Sequence, residues 1–298
     1  MNAESLTGTD RWTIDFPGCV QREFPDVFTE VWRATEDVLA TLSGRDLSPL
    51  ARHSPGLRGY EWTAYLSCCA ARAARVAAAL RGGGPRVLDV GAYFGNFSLA
   101  CARLGYDVTA LDGYAAYRPA LDASVALLAM NGVAVVDFAE TGYDLAGLQA
   151  GSFDAVLLLG VIEHLPHTPR PMLEALDRLL VPGGQLIIDT PNLGYLYKRE
   201  ALNNGMTIFQ PLRDQYITEP PFEGHHREYI SSEIVWMLEQ LGHAEISVEL
   251  CDFSVFALKE LEGEALVKHK RMRADPELRE LIFATSRKPR EPRPSTPL

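Results

Sequence analysis

Two hydrophobic periods divide the 298-residue chain. From Asp26 to Leu42, the apolar residues Val27, Phe28, Val31, Trp32, Val38 and Leu39 recur near helical spacing. Tyr60–Leu80 predicts a second helix, rich in alanine and arginine. Beyond it, short apolar runs alternate with helical stretches. The runs Arg86–Val90, Asp107–Leu111, Val133–Phe138, Ser152–Gly160, Gln185–Thr190, His243–Leu250 and Leu281–Arg287 predict strands. Helices are predicted around Phe97–Leu104, Pro119–Asn131, Met172–Leu180 and Ser231–Leu241, several of them closed by glycine. Unbroken apolar runs such as Ala155–Leu159 suit strands buried on both faces. Strand–helix alternation then implies right-handed crossovers and a doubly wound α/β sheet.

The boundaries follow from punctuation. Residues 1–20 carry no clear period, and residues 45–59 form a loop rich in Pro, Gly and Ser. Residues 1–59 are therefore read as an N-terminal helical segment, either a lid over the site or simple packing on the sheet. Residues 60–288 form the main domain. A forty-residue excursion follows the fifth strand, with an inserted cap over 191–229, and the Pro-rich tail 289–298 is expected to be disordered.

Composition narrows the class without naming it. Apolar residues make up 47% and charged residues 22%, as in ordinary soluble globular proteins. With 28 Lys and Arg against 39 Asp and Glu, the formal charge of −11 argues against a nucleic-acid partner. The five cysteines include no C-x-x-C, so neither a disulfide framework nor structural zinc is expected. No apolar run reaches the roughly 18 residues of a membrane span, and the first residues lack a secretory signal. The expectation is a cytoplasmic protein without a membrane partner. The oligomeric state stays open, with a homodimer allowed.

The chemistry concentrates in Pro85–Asp112. The first strand runs into Asp89-Val90-Gly91-Ala92-Tyr93-Phe94-Gly95, a tight loop before a helix, and Asp112 ends the second strand. Glycines let backbone approach a ligand, and a carboxylate at that strand end is placed to accept hydrogen bonds from a ribose diol. The spacing D-x-G-x-x-x-G is neither the dinucleotide G-x-G-x-x-G nor a phosphate loop. It resembles motif I of the class I S-adenosylmethionine-dependent methyltransferases. Asp154–Leu165, ending Glu163-His164-Leu165, and the L-x-P-G-G turn Leu180–Gly184 are similar to two later landmarks of the same family.

The resemblance, over about residues 60–288, implies a Rossmann-like seven-stranded sheet with its last strand antiparallel. It implies S-adenosyl-L-methionine as cofactor and S-adenosyl-L-homocysteine as product. By the same match, Gly91, Ala92, Tyr93 and Gly95 bring backbone against the methionine moiety. Asp112, with Gly113 beside it, holds the ribose hydroxyls, and Leu159 and Gly160 face the sulfonium. Glu140 and Thr141, or Asp137 nearer the strand, are the adenine candidates. Arg58 is a candidate for the cofactor carboxylate, and Asp89 orients the loop from behind it.

The acceptor side is read from the insertion. Its aromatics and cations, with the opening Thr190-Pro191-Asn192, suggest an acceptor pocket for a small molecule. Glu163, His164, His225 and His226 are the candidate general bases. No metal site is expected, because no third ligand is spaced with the adjacent histidines. The favoured reaction is O-methylation of a sugar or natural-product hydroxyl in glycan or secondary-metabolite biosynthesis. Carbon or nitrogen methylation and a non-catalytic cofactor-binding subunit are the rivals.

Overall fold

The computed structural model describes residues 11–52, 54, 57, 59–141, 145, 147–218 and 220–291. Among them the strands are β1 (Arg11–Thr13), β2 (Arg86–Val90), β3 (Asp107–Asp112), β4 (Ala134–Asp137) and β5 (Phe153–Leu159), followed by β6 (Leu180–Pro191), β7 (Ala244–Cys251), β8 (Glu260–Glu262) and β9 (Leu281–Arg287). Seven of them form one sheet in the order β4-β3-β2-β5-β6-β9-β7, and β1 pairs antiparallel with β8. Neighbours from β4 to β6 are parallel, while β9 inserts antiparallel between β6 and β7. The predicted Rossmann-like sheet with an antiparallel last strand is the one observed.

Side-chain alternation explains why both faces are covered. Val87, Ala110, Leu157, Ile187 and Phe283 point into one core, with Val31, Leu66, Ala70 and Leu99 from the helices Pro25–Leu42, Trp62–Ala79 and Asn96–Arg103. Their neighbours Leu88, Leu111, Val156, Leu186 and Ile282 point into the other. There Leu176, Ile234 and Leu238 meet them from the helices Arg170–Leu179 and Ser231–Gln240. A strand wetted on neither side reads as a continuous apolar run.

Several elements depart from the sequence reading. Leu180–Gly184 is the irregular start of β6, with a register shift opposite Phe153 and Ala155, rather than a turn ahead of the strand. Between β7 and β9, the chain forms β8 and the helix Gly263–Ala274, neither of which was predicted. The three-residue β1 exists only because Arg11, Trp12 and Thr13 pair with Glu262, Leu261 and Glu260. Such a long-range pairing leaves no local period.

One ion pair locks the N-terminal helices to the centre of the sheet. Asp189 on β6 is 0% exposed, and Arg72 on the helix Trp62–Ala79 is 6% exposed. Arg72 donates from Nε to Asp189 Oδ2 at 2.8 Å and from Nη2 to Oδ1 at 2.5 Å. Its guanidinium also lies over the rings of Phe97 and Phe253 at 5.0 and 5.5 Å. Arg72→Met is expected to destabilise the protein by about 3–5 kcal/mol by stranding a buried carboxylate. Arg72→Met with Asp189→Leu should recover most of that loss in denaturant titrations.

Candidate active site

The strand order reverses between β2 and β5, the point outside whose strand ends open α/β sheets bind their ligands. The glycine loop leaves β2 there. Gly91, Tyr93 and Gly95 have φ of +77°, +48° and +79°. A Cβ on Gly91 would stand 2.3 Å from Val161 Cγ2, so only glycine fits where the loop passes β5. Asp112 braces the loop: its Oδ2 accepts from Tyr93 N at 2.7 Å and its Oδ1 from Gly113 N at 2.6 Å. Each oxygen keeps a further lone pair. Asp89 accepts from Ser98 Oγ at 2.6 Å, tying the loop's first residue to the following helix. Burial pushes the carboxyls of both Asp89 and Asp112 up to about 6. Tyr93 meets Trp62, Phe94 and Tyr117 ring to ring, forming an aromatic wall beside the loop.

The remaining cofactor candidates divide. Asp137 accepts from Ala115 N at 2.6 Å and Ala139 N at 2.8 Å, so it shapes the turns after β3 and β4. Glu140 and Thr141 sit in the short helix Phe138–Thr141, with their side chains outside the described residues. Arg58 also lies outside the described residues.

A second group of side chains gathers where β5 ends. Gly160, at φ +67°, leaves open the space where a Cβ would sit 3.3 Å from Arg72 Nη2 and 3.6 Å from Glu163 Oε1. Glu163 is 2% exposed, and its Oε2 accepts from Thr190 Oγ1 at 3.0 Å. The inserted segment folds back onto this turn. Glu163 O accepts from His226 N at 2.7 Å, and His164 Nδ1 meets Glu223 O at 2.7 Å. The His164 and His225 rings stand edge to face, 4.7 Å between centroids. His225 Nδ1 lies 2.9 Å from Glu228 Oε1, and Glu228 also pairs with Lys198.

These bonds decide the tautomers. A carbonyl and an ionised carboxylate only accept, so each Nδ1 carries a proton and Nε2 is the nitrogen left for a further partner. Ligating atoms of Glu163, His164 and His225 all lie within 4.8 Å of one another. The sequence shows no third ligand spaced with the adjacent histidines; in space His225 meets Glu163 and His164, which precede it by 62 and 61 residues. Burial pushes the Glu163 carboxyl up to about 7 and, aided by His225, pulls the His164 imidazole down to about 4. His226 stands apart from the cluster, its Nε2 bonded to Phe222 O at 3.0 Å.

Known proteins agree with this geometry. A family model described as a methyltransferase domain matches residues 62–248. The chain belongs to the methyltransferase domain family. Its sheet order is that of the class I methyltransferase fold. Ubiquinone biosynthesis O-methyltransferases of Xanthomonas axonopodis pv. citri and Xanthomonas oryzae pv. oryzae are each 42% identical over 118 residues, 39% of this chain and 47% of theirs. The match thus spans about half the length of these relatives. Among solved structures, an S-adenosylmethionine-dependent methyltransferase of Thermotoga maritima aligns with a TM-score of 0.52 at 17% identity, covering 81% of this chain and 99% of its own. Haemonchus contortus phosphoethanolamine N-methyltransferase 2 aligns at 0.53 with 15% identity, covering 83% and 61%. At these identities the likeness is one of fold.

The methyltransferase site fits its cofactor at the two places that matter most. The Gly91 turn leaves room that a side chain would fill, and Asp112 retains lone pairs beside it. Sequence reading missed Arg72, Asp189 and Glu228, and it named Thr190 only as the start of the T-P-N opening, not as the partner of Glu163. Asp189-Thr190, two polar residues closing an apolar strand, were the available signal. The cap's aromatics also disperse: Tyr229 is buried in the core, whereas Phe209 and Tyr216 are 64% and 86% exposed. The Asn192 of the T-P-N opening spends its amide on the carbonyls of Glu277 and Arg279.

Gly91→Ala places a methyl against Val161 in a left-handed conformation. It should cost about 1–3 kcal/mol in thermal unfolding and weaken S-adenosylmethionine binding in calorimetry.

Proposed function

We propose that this methyltransferase transfers the methyl group of S-adenosylmethionine to a hydroxyl oxygen on a small ring-bearing acceptor, a sugar or a phenolic natural product. The observation that carries this reading is the cluster of Glu163, His164 and His225 beyond the carboxyl end of β5, both imidazoles being held through Nδ1. An amine acceptor already offers its lone pair, whereas a hydroxyl must lose a proton and so needs such a group. The Xanthomonas relatives, named as O-methyltransferases, support the same chemistry.

The bound cofactor supplies a methyl on a sulfonium, already activated for in-line displacement. The chain does the rest by placement. Asp112 accepts hydrogen bonds from the ribose hydroxyls, and the backbone of Gly91, Ala92 and Tyr93 lies against the methionine portion. Leu159 and Gly160 wall the reacting centre. Trp62, Tyr93 and Tyr117 offer ring faces and edges to a flat acceptor. His225, part-buried and held in place by Glu228, lies beside the acceptor's hydroxyl, whose proton must leave for the oxygen to attack.

Two measurements check this. The ionised Asp112 binds the ribose, and its carboxyl is held near 6, so protonation removes the interaction as pH falls. Affinity for S-adenosylmethionine should therefore drop about tenfold between pH 7 and pH 5 in calorimetric titrations. Asp112→Asn should bind weakly at both values and flatten the profile. In assays of methyl transfer to catechols, other phenols and sugars, His225→Ala should lower kcat/KM by about 10²–10⁴-fold, while cofactor affinity stays within about twofold. Transfer only to amines or to carbon, unaffected by His225→Ala, would sink the O-methylation reading.

A further inference from the structure

We infer that Glu163, His164 and His225 form a binding site for a divalent transition-metal ion of the zinc or manganese type, which in turn holds the acceptor's oxygen. The donor set is two neutral imidazoles and one carboxylate, the combination by which such ions are held with positions left open for substrate. Its outer partners are already in place. A metal-binding histidine ordinarily donates its other ring N–H to a carbonyl or carboxylate. His164 Nδ1 does so to Glu223 O at 2.7 Å, and His225 Nδ1 to Glu228 Oε1 at 2.9 Å. Thr190 Oγ1 occupies Glu163 Oε2 at 3.0 Å, leaving Oε1 directed to the space beside Gly160.

Ligand atoms around an ion at about 2.1 Å stand about 3.0–3.5 Å apart. The present limit of 4.8 Å is thus closed by modest side-chain rotations of three residues. The nearby cation Arg72 is neutralised by Asp189, and Lys198 by Glu228, so neither presents an uncompensated charge to the ion.

The role of the ion rests on the proposed O-methylation; its binding does not. With the ion in place, the three side chains are ligands rather than bases. The acceptor's hydroxyl oxygen coordinates the ion and releases its proton to water, and the resulting metal-bound oxygen anion attacks the cofactor's methyl carbon as the carbon–sulfur bond breaks.

The test uses the full chain, freed of metal with a chelator and titrated with Co²⁺, whose visible absorption reports its coordination, and with Zn²⁺ in competition. One equivalent should bind, with a spectrum showing nitrogen ligation. His225→Ala and Glu163→Gln should each weaken binding at least about tenfold, and Glu228→Gln by about tenfold through loss of the orienting carboxylate. His167→Ala, an exposed histidine outside the cluster, should leave it unchanged. Calorimetry with S-adenosylmethionine verifies that each variant is folded. Absence of a one-equivalent site, or binding indifferent to His225→Ala and Glu228→Gln, would overturn the inference. Chelator-resistant O-methyl transfer without cobalt binding overturns the metal site and leaves the proposed function. Site-dependent cobalt binding with transfer only to amines supports the metal site and refutes the proposed function.

Discussion

The structure depends on keeping charge buried at the carboxyl edge of its sheet. Asp89, Asp112, Glu163 and Asp189 lie there, all nearly inaccessible to water. An isolated buried carboxylate is costly, so each must find a partner from another element. Asp189 has Arg72 from the helix Trp62–Ala79, Asp112 has the backbone N–H groups of Tyr93 and Gly113, Asp89 has Ser98, and Glu163 has Thr190. These bonds bind the N-terminal helices and the glycine loop to one strand edge. What counts as stability in the core is therefore preorganisation at the site.

The inserted segment extends the same principle. It docks through hydrogen bonds to the Glu163–His164 turn and through buried Leu196 and Tyr229, while its Phe209 and Tyr216 stay exposed. Tyr117 hydroxyl donates to Glu223 Oε2 at 3.3 Å, and the Tyr117 ring meets Tyr93. The inserted segment is thereby linked to the glycine loop by two consecutive contacts. Placement of the cap and shape of the loop are expected to respond to each other.

The two halves of the site were unequally legible. The glycine loop and Asp112 could be read from spacing because tight backbone turns and strand ends are local events, spelled by adjacent residues. The cluster at β5 could not. His164 and His225 are 61 positions apart, and they meet only because the chain leaves β6, crosses the edge and returns at Tyr229 to bridge Asn192. Arg72 was hidden differently, as one of two arginines in an alanine-rich helix whose spacing does not mark which one reaches Asp189.

The sequence by itself therefore determined the seven strands of the main sheet, the covering helices, the cofactor loop and the carboxylate at its rim. Each follows from the short-range sterics of glycine or from apolar periodicity, and both act between near neighbours. The tertiary structure alone decided which charges are buried together, how β1 finds β8, and where the histidines of the insertion come to rest. Those outcomes are set by contacts between residues dozens to hundreds of positions apart, and such contacts exist only once the chain has closed on itself.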